Sequence, residues 1–69
     1  MNNELKQAKL NLRKIEKFCN SRPLPSVRDV DTFIMSENLS EYKEFATATI
    51  NAVHAAEWIL HQKKINKYR

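Results

Sequence analysis

With 69 residues, 42% of them hydrophobic and none of them glycine, the chain has room for one domain (residues 1–69) and a modest core. A formal net charge of +4, from 12 lysines and arginines against 8 acids, admits an acidic protein surface or phosphate as a target. A single cysteine excludes an internal disulfide framework, and no window approaches the ~18 apolar residues that span a bilayer.

The lack of glycine also bears on fold class. Strands joined by tight hairpins need residues at positive φ, so a chain without glycine reads as all-α, helices joined by ordinary loops. The opening stretch MNNELKQAKLNLRK has no apolar signal-peptide run, and the lone Cys19 suits a reducing compartment. A cytoplasmic location is the expectation.

A first helix is predicted over about 3–20. Leu5, Ala8, Leu12, Ile15 and Cys19 recur at 3-4-3-4 spacing, with Leu10 and Phe18 widening the stripe. Asn2 or Asn3 can cap it, and Lys6, Lys9, Arg13, Lys14 and Lys17 fill the remaining faces. Cys19 reads as a small buried hydrophobe near the helix end.

Ser21-Arg22-Pro23-Leu24-Pro25 stops that helix, because a proline keeps the residue before it out of the α region. Leu24, between two prolines, is placed as a plug at the end of the core. Ser26 restarts a short helix over about 27–35, with Asp29 completing a box-like cap and Val27, Val30, Phe33 and Ile34 as its apolar side. A polar connector leads to Leu39, read as a staple-like contact against Phe45 or a neighbour, and to Ser40, read as an N-cap.

The third helix, about 41–66, organises the rest. Phe45, Thr49, Ala52, Ala56 and Ile59 make one row, and Tyr42, Ala46, Ile50, Val53 and Leu60 make an adjacent one. Together they are wider than a two-stranded coiled-coil seam, and alanine allows another backbone to approach closely. The expected arrangement is an antiparallel hairpin of the first and third helices with the second crossing one end. Part of the long helix's apolar face then stays uncovered, to be completed by oligomerisation.

In that arrangement Lys6 and Lys9 share a basic end with Lys63, Lys64, Lys67 and Arg69. Such an end can meet nucleic acid, or fix the orientation of a homodimer, or simply complement the helix dipole. Trp58 is a candidate interface anchor, a lid over the first helix, or a base-stacking residue with Tyr68 and Arg69. His54, Glu57 and His61 share a face at i, i+3 and i+7, but three groups on one helix make an open, weak metal site, and a Glu57–His61 contact is the plainer reading.

A helix-turn-helix would aim Glu41 and Glu44 at phosphates, and its turn lacks glycine. The serines look like loop or cap residues, and no glycine-rich phosphate loop is present. No enzyme, metal or cofactor is expected. The chain reads as a small regulatory or accessory protein of the kind phages and mobile elements encode, binding another protein, itself first among the candidates. Nucleic-acid binding by the basic end is the alternative. The predicted partner-binding residues are Phe45, Thr49, Ala52, Ala56, Trp58, Ile59, Lys6, Lys9, Lys63, Lys64, Lys67 and Arg69.

Overall fold

The computed structural model describes residues 2–67, with side chains placed for 3–65. It consists of α1 (Asn2–Cys19), α2 (Val27–Ser36), a single 3₁₀ turn (Ser40–Tyr42) and α3 (Lys43–Lys67). Every described element is helical, and none is long and apolar enough to cross a membrane.

The local rules explain most boundaries. α1 starts at Asn2, so neither Asn2 nor Asn3 stands before it as a cap. It ends where Ser21 Oγ donates to the Phe18 carbonyl at 2.6 Å and Asn20 Nδ2 to that of Glu16 at 2.8 Å. α2 starts with a complete capping box: the Asp29 N–H donates to Ser26 Oγ and the Ser26 N–H to Asp29 Oδ2, each at 3.1 Å. Replacing Ser26 by alanine removes one of these bonds and should cost about 1 kcal/mol, lowering the thermal midpoint by roughly 4–8 °C. Circular-dichroism melts of the two proteins check this; equal midpoints would show that the box adds nothing.

The end of α2 departs from expectation. Asn38 adopts φ 58°, and the N–H groups of Asn38 and Leu39 donate to the carbonyls of Met35 and Ile34. This is a Schellman stop with asparagine in the left-handed position where glycine is commoner. Leu39 is thereby drawn into the core beside Ile34, both nearly fully buried. Ser40 is not the cap of the long helix: it opens the 3₁₀ turn, and no side chain caps that turn.

The course of the chain corrects the predicted antiparallel hairpin of the first and third helices. Lys14 lies 3.5 Å from Glu37, and Phe18 stacks on Phe33 with ring centroids 4.3 Å apart, so α2 runs back along α1. His54 Nε2, further along, donates to the Pro25 carbonyl across 2.8 Å, placing the start of α2 beside the middle of α3. Asn11 Nδ2 donates to Tyr42 Oη at 3.4 Å, while Arg22 pairs with Glu57. Rising numbers thus match rising numbers, and α1 and α3 run in the same sense. The reason is that α2 is a full return leg of ~15 Å rather than a crossing cap.

Ile15, Cys19, Val30, Ile34, Leu39, Ala46 and Ile50 form the core, with Phe18, Leu24, Phe33, Tyr42, Phe45 and Val53 packed against it. α1 and α3 are staggered along the long axis. α3 alone rises ~38 Å, whereas the molecule is 55 Å long and only 24 by 18 Å across. One end is therefore an overhang of α1 before Asn11, and the other an overhang of α3 after Glu57.

Candidate protein-interaction surface

α3 uses one side for the core and leaves the next side open. Ala46 and Ile50 are buried, and Tyr42 and Val53 partly so, which covers the second predicted row as far as α1 and α2 extend. Leu60, assigned to that row, remains 55% exposed because no other helix reaches its level.

The first predicted row is the open side. Phe45 and Thr49 are half-buried, Ala52 and Ala56 are exposed, and Ile59 is 49% exposed. Phe45, Ala48, Ala52 and Ala56 floor a shallow groove of about 480 Å³ whose far wall is Asn20 and Arg22. The Thr49 hydroxyl donates to the Phe45 carbonyl at 2.8 Å, so the only hydroxyl on this row is already satisfied. An apolar floor with no polar group aimed outward suits an apolar partner surface more than a small polar ligand.

Arg22 fixes the far wall. Its guanidinium pairs with Glu57 and also donates to the carbonyls of Asn20 and Ser21 at 3.0 Å. Neither this residue nor Ala48 stands out in the sequence as part of a site. Ala48 does carry a signal, in the 48–52–56 spacing; a loop arginine's partner depends on tertiary placement and leaves none.

Other predicted residues are not brought together. Trp58 is 63% exposed and does not line the groove; nor does Ile59, whereas Leu60 of the second predicted row does. Lys6 and Lys9 are on the α1 overhang and Lys63 and Lys64 on the α3 overhang, at opposite ends of the molecule. About 30 Å of helix rise separates Tyr42 from Lys63, so the predicted shared basic end does not form. It required antiparallel helices. The Lys67 side chain, Tyr68 and Arg69 lie outside the described residues. His54 and Glu57 are engaged with Pro25 and Arg22 respectively, and among the described residues no three His, Cys, Asp or Glu gather as a metal site.

Comparison with family models, curated proteins and solved structures finds no match to this chain.

Proposed function

We propose that this is a non-enzymatic helical module that acts by docking another protein chain along the outer side of α3. The observation that carries the proposal is the unbroken open row on α3, from Phe45 through Ala52 and Ala56 to Ile59, continued by exposed Leu60. Phe45 packs against the core, whereas Ala52, Ala56, Ile59 and Leu60 are exposed beyond it. A contiguous exposed apolar patch supports the reading of this side as a binding surface.

The nucleic-acid alternative needed cations concentrated at one end; with the lysines divided between two ends it loses that support, and protein docking is the reading retained.

The test is a variant with Ile59→Glu and Leu60→Glu. Both positions are about half exposed, so the thermal midpoint of the isolated, dilute chain should move little, within about 0.5 kcal/mol per site. Association with any protein partner, a second copy included, should fall at least ten-fold, because two carboxylates would be desolvated in the interface. The proposal fails if wild type and variant retain the same partners with equal affinity, or if neither associates with any protein.

A further inference from the structure

The open side of α3 has a symmetry that packing against α1 and α2 does not require. Ala48 and Ala56 stand four residues on either side of Ala52, Phe45 and Ile59 seven, and Glu41 and Lys63 eleven. At ~100° per residue the six of these positions within α3 fall in one stripe about 80° wide, and Glu41 stands in the 3₁₀ turn that leads into it. Phe45 is half-buried and the other six are exposed. The spacing reads the same in both directions, and the chemistry is complementary on reversal. Alanine meets alanine, an aromatic ring meets an aliphatic side chain, and a carboxylate meets an ammonium group.

We infer that α3 docks against α3 of a second copy of this chain, antiparallel, about a two-fold axis passing beside Ala52. This rests on the protein-interaction reading above and names its partner. A two-fold interface pairs each position with its mirror position in both directions, which is the pattern this stripe carries. Small residues at the crossing bring the helix axes to ~8 Å, the near end of the usual range. Charge decides the orientation: antiparallel pairing sets Glu41 against Lys63 of the second copy at both ends, whereas parallel pairing sets like against like.

The stagger of the monomer supplies a second argument. Asn11 stands level with Tyr42, so in this register the second copy's chain beyond Lys63 runs level with the α1 overhang. That overhang carries Leu5, 60% exposed, and Ala8, half-buried, on the same stripe as buried Ile15 and Cys19. The second copy's overhang brings exposed Ile65 to the level of Ala8. The α3 stripes alone, ~33 Å long and ~11 Å wide, cover on the order of 700 Å² in total, short of the ~1,200 Å² of a standard interface. An interface of that size is a weak one, formed and lost with concentration.

Sedimentation equilibrium of the full chain across a wide concentration range tests this. The mass should rise from 8.1 kDa to twice that value. Glu41→Lys and Lys63→Glu should each weaken association about ten-fold, since each turns two attractions into two repulsions. The double variant E41K/K63E should recover to within about three-fold of wild type. Circular dichroism of each variant confirms that the helices are intact. In an independent arm, oxidised Ala52→Cys should give a covalent dimer and Asn51→Cys, one step round the helix, should not; buried Cys19 stays silent. A monomer mass at every concentration overturns self-docking, and the wider reading then survives only if wild type binds a different protein that the Ile59→Glu, Leu60→Glu variant loses. A dimer indifferent to the charge exchange and giving no Ala52→Cys cross-link overturns the register.

Discussion

Ile50→Ala is expected to lower the thermal midpoint by ten degrees or more, while Ile59→Ala, the same change nine positions along the same helix, leaves it nearly unmoved in dilute solution. Ile50 is fully buried where α3 meets the core, and Ile59 is 49% exposed. Truncating a buried isoleucine to alanine costs roughly 2–5 kcal/mol, part lost transfer energy and part cavity. A chain of this size holds only about 3–10 kcal/mol in total. The core is too small to spread the loss, with seven buried hydrophobic residues among those described. Thermal melts read by circular dichroism, at dilutions where the chain is monomeric, check both variants. Equal losses at the two positions would mean that α3 turns a different side to α1 and α2, and the open groove would go with it.

The elements that local physics governs are legible in the amino-acid sequence. The Ser26–Asp29 box is a contact between residues three apart, so its sequence signature and its geometry are nearly the same statement. The burial of Cys19 and Ile15 follows from their place in a 3-4 stripe. The width of the α3 face is legible for the same reason, and so is the prospect that one row lies open.

Tertiary placement is not legible in the same way. The sense of α3 relative to α1 depends on whether α2 is a cap or a return leg, and periodicity does not distinguish the two. The connections do carry a hint. Asn20–Ser26 is long enough to turn the chain back, and Asn38 followed by apolar Leu39 spells a Schellman stop that turns it again. Two reversals leave the first and third helices parallel. The expected basic end falls with the antiparallel hairpin, because only the opposite sense sets Lys6 and Lys9 beside Lys63 and Lys64. Arg22, which pairs with Glu57 across 35 positions of sequence, lies beyond any local rule.

The thiol of Cys19 gives the most sensitive readout of whether α1 is docked as described. It is fully buried, and burial pushes its pKa up from the ordinary thiol value of 9.0, so both access and ionisation oppose reaction. Labelling by a thiol reagent at neutral pH should be at least ~100-fold slower in the native chain than in denaturant, because the reagent must wait for an opening. The helix end beside it is held by the Asn20 and Ser21 hydrogen bonds, which disfavours simple fraying as the route. Opening should therefore involve the core, and Ile50→Ala should speed labelling by roughly the factor that it destabilises the fold, ~30-fold or more. The pH dependence has a definite sign. Because the folded-state pKa is raised, the contribution of Cys19 is fully present below pH 9.0 and is lost as pH climbs past that value towards the folded pKa, where the unfolded chain alone can ionise. Denaturant midpoints should fall in that window, and a Cys19→Val variant should remove that part of the fall. Native labelling as fast as in denaturant would detach α1 from the core, and with it the Arg22 wall that gives the α3 groove its shape.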